Sequence, residues 1–554
     1  MSIALATGAA AVLAAAPAIK QRLELSAAKA MSLSGHVKMA RQLGRLVPSY
    51  SIGGDAFFNA DGAPAAVAHQ RRQGFSVLAK ALQAKAPLSI AATASARHTL
   101  SDLQLTGRNR VPFQFRQQAM QHLKTGSFWA GVDANELIDL DGNRLLDVTG
   151  SYGVNVLGSD FYKTNMAQSA AMAQPLGATL GGYQAQTLET LQWLQDISGM
   201  DEVSFHMSGT EAVMQAVRLA RFHTGKAKMV RFAGSYNGWW DDTQPGPGNP
   251  TAVHNTYTLK DMSQRTLQVL SKRRDIACVV INPVQALHPN KNAPGDSTLI
   301  DGSRQASYDR AAYTKWLQDL RAVCTKRGIV MIMDEVFVGF RLALGGAQSY
   351  FNVQADLVCY GKTLGGGYPV GVVCGKATYM RRYKDDKPGD ICFARGTFNA
   401  HPHVMAAMHR FLHHVQQAEV LQTYAQLDAT WDQRCATFNA AMQKANVPIK
   451  ATNMSTIWTI DYTIPGRYHW LMQYYLRDQG LALSWIGTGR LIFNLSFTDS
   501  DMQRVTDAFL GAGARMQQDG WWWTHTQLTR KSIRKRVVRE MLHAKWPGLF
   551  NSVV

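Results

Sequence analysis

Three short apolar runs constrain the architecture more than anything else in the chain. Cys278–Ile281 reads CVVI, Ile329–Met333 reads IVMIM and Asp356–Tyr360 reads DLVCY. Polar or turn residues flank each run, as they do around strands buried on both faces. Longer helical patterns such as Glu211–Thr224 and Tyr313–Arg327 alternate with them. This alternation predicts an α/β fold with a mostly parallel sheet. Functional residues are then expected at the carboxyl ends of strands and at helix N-termini.

Three such places carry chemistry. Ser208-Gly209-Thr210-Glu211-Ala212 opens a helix, where exposed backbone N–H groups and the helix dipole favour an anion. Ser208 or Thr210 can equally serve there as a plain N-cap. Asp334-Glu335 follows the run IVMIM, where a carboxylate can hold a cationic ring nitrogen or cap the next segment. Lys362 stands between a buried strand and the run Gly365-Gly366-Gly367. A lysine partly removed from water loses its proton more readily and can form a Schiff base; a lysine in a flexible surface loop is the plainer alternative. Together, a phosphate site, a carboxylate for a ring nitrogen and an imine-forming lysine are what pyridoxal phosphate needs.

The segments SGTEAVMQAVRLARFHTGK (208–226), DEVFVGFRLALGGAQSYF (334–351), GKTLGGGYPVG (361–371) and GTFNAHP (396–402) resemble class III, fold-type I aminotransferases. The likeness extends to glutamate-1-semialdehyde aminomutase and, around NPVQ (282–285), to aminotransferase domains of polyketide and peptide synthases. LIDLDGNRLLDVTGSYG (137–153) matches the family's opening hairpin, and the resemblance covers about 125–515. It implies an α/β fold-type I transferase dependent on pyridoxal 5'-phosphate. A mostly parallel large-domain sheet, a small α+β domain and helical extensions at both ends are expected. The expected division is a basic helical extension over 1–124, a first part of the small domain over 125–190 and the cofactor-binding large domain over 191–410. The C-terminal small domain then spans 411–514 and a basic, Trp-rich tail 515–554.

The resemblance also implies roles. Lys362, Asp334 and Tyr236 form the catalytic set: Lys362 makes the Schiff base and moves the substrate's α-proton, and Asp334 keeps the ring nitrogen protonated. Tyr236 stacks on the ring and Val336 packs its other face. Ser208, Gly209 and Thr210 bind the phosphate. Thr397 reaches the phosphate held by the other subunit, which implies a homodimer with shared sites. Ser151 and Tyr152 line the substrate entrance. Two departures matter at the cofactor pocket: Asn237 stands where the family usually has histidine, and Asn282 where it has glutamate, which removes a carboxylate near the cofactor. Near the C-terminal strand, Asn494 falls where many relatives carry a carboxylate-binding arginine, and Arg490 is the nearby candidate for substrate contact. The stretch His288–Tyr313 looks long for the family and predicts a loop at the pocket mouth. No metal is implied.

Charge sets the ends apart: 1–124 and 515–554 carry +17 of the net +19. The six cysteines form no C-x-x-C pair, which argues against a thiol zinc site and for a reducing compartment. Ile3–Ile19 is uncharged and alanine-rich, with a packed or interfacial helix preferred over an anchor or a cleaved signal. Residues 20–46 predict one basic amphipathic helix, followed by loops at Gly53-Gly54 and Asn59–Pro64 and a second helix over Ala66–Ala84. Trp521, Trp522 and Trp523 precede a basic helical tail and predict an anionic membrane surface, or else a cap on the enzyme's own core. An acidic acyl-carrier protein fits the same charge; nucleic acid lacks any recognition signature. The expected protein is a cytoplasmic enzyme, peripheral to or anchored at the inner membrane face. It transfers an amino group from a small donor to an apolar or carrier-tethered aldehyde or ketone. A decarboxylative condensation of an amino acid with an acyl thioester, as in α-oxoamine synthases, and a non-catalytic membrane scaffold are the alternatives.

Overall fold

The computed structural model describes residues 16–29, 35–251, 253–287, 300–484 and 489–548. The chain divides into two compact units. One comprises Met1–Gly44, Ala173–Lys291 and Asp309–Leu412; the other comprises Arg45–Met172, Asn292–Tyr308 and His413–Val554.

The first unit is built on seven strands: β1 (Glu202–His206), β2 (Lys228–Phe232), β3 (Thr256–Leu259), β4 (Ile276–Ile281), β5 (Val330–Asp334), β6 (Leu357–Gly361) and β7 (Gly371–Gly375). Their order in the sheet is β1-β7-β6-β5-β4-β2-β3. Neighbours from β6 to β3 run parallel, and β7 alone is antiparallel, to both β6 and β1. The three apolar runs become β4, β5 and β6, in which every residue is buried.

The helix Gly209–Thr224 starts at the Ser208 cap and stops at Gly225, which adopts the left-handed conformation. Its buried residues Ala212, Val213, Ala216, Val217 and Ala220 recur at helical spacing and pack on Met229, Cys278, Val330 and Cys359 of the sheet. The helix Arg310–Arg327 follows the same logic: Asp309 caps it, Gly328 ends it, and Tyr313, Trp316, Leu317, Leu320 and Cys324 form its buried stripe. At about 1.5–3 kcal/mol for each fully buried large apolar side chain, these stripes outweigh any propensity term.

The expected single helix over 20–46 is broken. Residues 16–27 are helical and Val37–Leu46 forms a separate helix. The first ends where buried Ala28 turns its carbonyl to the Lys260 N–H (2.9 Å), while Lys272 pairs with Glu24 (2.6 Å). A tertiary contact has overridden the periodic pattern. Residues 3–15 of the apolar stretch Ile3–Ile19 lie outside the described residues. Among the described residues, no helix is long and apolar enough to cross a membrane.

The second unit holds a four-stranded sheet, which includes the antiparallel pair Glu136–Asp139 and Arg144–Asp147 of the opening hairpin. A three-stranded sheet is formed by Ile449–Met454, Ile457–Tyr462 and Arg490–Ile492. The expected helix over 66–84 runs from Ala65 to Lys85. Phe57, Leu78, Phe115, Trp458, Trp470, Trp521 and Trp522 share one core cluster. Membrane contact through the tryptophan run is therefore corrected: Trp521 and Trp522 are 2% and 4% exposed. Their burial is cheap because each indole N–H has an acceptor, the Tyr475 hydroxyl (2.8 Å) and the Gly513 carbonyl (3.0 Å).

The tail helix Arg530–Lys545 buries Ile533 and Val537. Arg530 donates to the Tyr462 carbonyl and Arg536 to the Ala60 carbonyl, each at 3.0 Å, and Glu540 pairs with Arg467 at 2.6 Å. Much of the terminal charge is thus spent inside the unit. Of the long stretch His288–Tyr313, residues 288–299 lie outside the described residues, and Asp301 and Arg304 are buried.

Candidate active site

The carboxyl ends of β1, β2, β4, β5 and β6 carry a connected set of polar groups. After β1, Ser208 accepts the Glu211 N–H (3.2 Å) and Glu211 returns a carboxylate oxygen to the Met207 N–H (2.9 Å). Ser208 is therefore the cap, as one reading of the sequence had it. Its side chain is spent on Glu211, and the first-turn amides of Gly209 and Thr210 have no intrahelical acceptor. Glycine is required here by space. A Cβ on Gly209 would lie 2.6 Å from Val336 Cγ1, and one on Gly371 only 2.0 Å from the Ser208 carbonyl oxygen.

The turn after β2 brings Ser235, Tyr236 and Asn237 against this helix start. Gly238 adopts φ +86°, and a Cβ there would meet Thr210 at 2.9 Å. The Tyr236 hydroxyl hydrogen-bonds Thr210, while its ring stays 56% exposed. Asn282, after β4, donates to the Tyr236 carbonyl (2.8 Å) and accepts the Val284 N–H (3.2 Å). Asn282 therefore props the turn through its backbone. Asn237 is fully buried; its amide donates to Asp334 Oδ2 (2.8 Å) and accepts from the Ser235 hydroxyl (2.7 Å).

Asp334 ends β5 with a carboxylate that is 3% exposed. Burial pushes it up to about 6, against the pull of the Asn237 amide, the Lys362 charge and the Val336 N–H. Glu335 points the other way, as alternation along a strand requires. It accepts the N–H groups of Ala347 (2.6 Å) and Gln348 (3.0 Å), and burial pushes it up to about 8. Of the adjacent carboxylates, one faces the cluster and one caps the next helix.

Lys362 follows β6 directly, with φ +47°. Burial lowers its pKa, Asp334 opposes that shift, and the Arg341 charge adds to it. Its Nζ lies 5.7 Å from the centroid of Phe337. Ser235, Phe337 and Arg341 were not singled out in the sequence. Arg341 sits in the segment DEVFVGFR, seven positions past Asp334, but nothing in that spacing announces a charge within reach of Lys362.

Thr397 lies exposed in the turn 397–400, and the described contacts do not join it to the cluster. The remaining candidates belong to the second unit. Ser151 and Tyr152 have φ of 46° and 57° between left-handed Gly150 and Gly153. Two such non-glycine residues cost roughly 1–3 kcal/mol each, a strain typical of functional turns. Thr149 holds the turn by accepting the Ser151 N–H (3.1 Å). Asn494 is buried in a network with Asn135 (2.9 Å) and Ser496. Arg490 is pushed down to about 10 by burial and by neighbouring Arg304, and its Nε is buried without an acceptor.

The first-unit cluster fits a flat, cationic, phosphorylated ring. Among the described residues the buried Asp334 carboxylate accepts from two neutral donors, the Asn237 amide and the Val336 N–H, a setting that suits a further, cationic N–H. The Tyr236 ring is exposed, amides at a helix start suit a phosphate, and a lysine with a loosened proton completes the set.

The family model described as Aminotransferase class-III matches residues 122–512. Glutamate-1-semialdehyde 2,1-aminomutase of Hyperthermus butylicus is 38% identical over 207 residues, 37% of this chain and 47% of that one. The match thus spans about half of that relative's length. Among solved structures, an omega-transaminase from Sphaerobacter thermophilus gives a TM-score of 0.62 at 21% identity, covering 78% of this chain and 97% of that one. A β-phenylalanine aminotransferase from Variovorax paradoxus gives 0.64 at 20%, covering 81% and 97%. A glutamate-1-semialdehyde aminomutase from Pseudomonas aeruginosa PAO1 gives 0.64 at 16%, covering 81% and 99%. At these identities the structures show a shared fold.

Proposed function

The chain belongs to the class III aminotransferases, and from that premise we propose that it moves an amino group from a small donor to an aldehyde or ketone, one that is apolar or tethered to a carrier. It is a transferase dependent on pyridoxal 5'-phosphate. When bound, that cofactor supplies an electron-withdrawing ring that stabilises negative charge at the substrate carbon.

The chain's own residues do the rest. Asp334, kept anionic by the Asn237 amide, holds a proton on the ring nitrogen. Lys362 Nζ gives and takes the proton at the substrate carbon, its basicity reduced by burial and by Arg341. The Gly209 and Thr210 amides, with Thr210's hydroxyl, hold the phosphate at the positive end of the helix. Tyr236 and Val336 cover the two ring faces and exclude water. Thr397 serves the site of a second copy, which makes the active enzyme a homodimer. Ser151, Tyr152 and Arg490 contact the substrate, Arg490 with a buried Nε that has no acceptor among the described residues.

The single observation that carries this reading is the 2.8 Å bond from Asn237 to a buried Asp334 within electrostatic reach of Lys362. The condensation and scaffold readings find no support. A negative partner, whether a carrier protein or a membrane surface, still has Lys531, Lys535 and Arg539 exposed on the tail helix.

The test pairs a panel of amino donors with aldehydes, ketones and acyl thioesters and identifies products by mass spectrometry. Amine products with no carbon dioxide are expected. A new carbon–carbon bond with loss of carbon dioxide would overturn the reading. Borohydride reduction followed by peptide mapping should label Lys362, and a label on another lysine would refute the site.

A further inference from the structure

The second unit contains a small cleft that the amino-transfer reaction does not use. It is lined by Arg97, Arg110, Lys124, Thr106, Ser127 and Tyr474 among others, and among the described residues no acidic side chain lines it. Arg97, Thr106 and Arg110 precede residue 122, where the match to the family begins. The cleft therefore joins this chain's own extension to Lys124 and Ser127 of the matched region, and Tyr474 of the helix Met472–Asp478 closes it.

Its cations are poorly compensated. Arg97 Nε is buried without an acceptor. Burial lowers the Arg110 pKa, and the only groups drawing it back are the phenols of Tyr474 and Tyr152. Tyr474 is 6% exposed, and burial pushes its hydroxyl up to about 12. Holding the Arg110 charge away from water without a counter-charge is costly, and a bound anion relieves that cost.

The walls are fixed in advance. Gln473 donates to the Arg110 carbonyl (2.8 Å), and the Ser127 N–H donates to Thr93 Oγ1 (2.9 Å). A Cβ on Gly126 would lie 2.4 Å from Ser89 Cβ, so the loop carrying Lys124 and Ser127 is drawn tight against its neighbour. The cavity measures about 40 Å³. That is room for about three water molecules, or one tetrahedral oxyanion. Three cations suit a phosphoryl oxyanion, and the hydroxyls of Ser127 and Tyr474 add neutral donors.

We propose that this cleft binds the phosphate group of a phosphate ester. The inference goes beyond the proposed reaction and stands on the cleft alone. Two sources share this chemistry: a phosphomonoester on a free metabolite, and a phosphodiester joining a prosthetic arm to a carrier protein.

The test uses full-length holoenzyme, so that the cofactor already fills its own phosphate site. Inorganic phosphate is titrated calorimetrically at low ionic strength, with chloride as control, and Tm is followed in parallel. Wild type should bind phosphate and gain Tm. Arg110→Gln should bind about tenfold more weakly or worse, having lost a charge-assisted contact. Its ligand-free Tm should not fall, because an uncompensated buried charge has been removed; a merely structural Arg110 would lower it. Arg110→Lys should restore part of the binding. The exposed Lys124→Gln serves as a second variant, expected to fold normally and to weaken binding. A phosphomonoester that outcompetes a phosphodiester supports the metabolite source, and a phosphodiester that competes as well or better supports the carrier arm. Absence of phosphate binding to wild type, unchanged binding in both Gln variants, or competition by neither ester would overturn the proposal.

Discussion

At Asn237 a neutral amide stands against a buried carboxylate. What matters there is one N–H aimed at Asp334 Oδ2. Asn237→Leu keeps the branched shape and removes the donor. Losing a hydrogen bond to a buried charged group costs about 1.5–3 kcal/mol, so kcat should fall roughly 10- to 100-fold. Asn237→His, which restores a donor, should recover most of it. Equal rates for the Leu and His variants in steady-state assays would show that the amide is only packing. A pH effect follows from the neighbouring carboxyls. Burial raises Asp334 from 3.8 to about 6 and Glu335 from 4.5 to about 8. The folded chain therefore holds these protons more tightly than the unfolded one. Stability is lost as pH climbs above the unfolded values, and the loss is complete above the folded ones. Apoenzyme Tm should thus decline from about pH 4 to about pH 8. A ring cation on Asp334 removes its share, so the holoenzyme should decline less between about pH 4 and 6. Identical Tm–pH curves would mean that the cofactor does not meet Asp334.

Among the elements, β7 and the helix Gly209–Thr224 approach so closely that Gly371 admits no side chain. Gly371→Ala places a methyl 2.0 Å from the Ser208 carbonyl oxygen and must displace the helix start. Cofactor affinity should drop while far-ultraviolet circular dichroism stays the same; unchanged cofactor affinity would mean that the helix start is not part of the site. The tryptophan run gives the opposite kind of prediction. Trp521→Ala opens the core and should cost about 3–5 kcal/mol in urea unfolding. A purely interfacial Trp521 would leave unfolding unchanged. This contrast also shows what the sequence could tell. Runs such as IVMIM were legible because a strand buried on both faces has no polar alternative. Asp334, Lys362 and the Gly209 turn were legible because strand ends and helix starts are where an α/β sheet gathers chemistry. Trp521 was not, since composition suits a core and an interface alike. Its acceptor, the Tyr475 hydroxyl, lies 46 positions away. Arg341, Ser235 and Arg304 were missed for the same reason: each is an ordinary residue until the fold supplies its neighbours.

For the whole molecule, the unevenly charged ends are not appendages. Arg71, fully buried, pairs with Asp61 at 2.8 Å and donates to the Gly520 carbonyl at 2.9 Å. Phe57, Phe115 and Trp521 belong to the same cluster as Trp458 and Trp470. A fragment of residues 125–514 therefore exposes the core of the second unit. It should lack cooperative thermal unfolding in calorimetry and bind a hydrophobic dye. A sharp transition near that of the full chain would contradict the shared core.

That shared core also sets a timetable for synthesis. The contact from Arg536 to the Ala60 carbonyl joins positions 476 residues apart. At about 5–20 residues per second, roughly half a minute to a minute and a half separates the making of its two partners. Throughout that interval Phe57 and Phe58 have been translated but lack Trp521, one of the aromatic rings that cover them. The nascent chain thus carries an unfinished aromatic surface out of the ribosome. Chaperone occupancy of the first hundred residues during translation is the expected consequence.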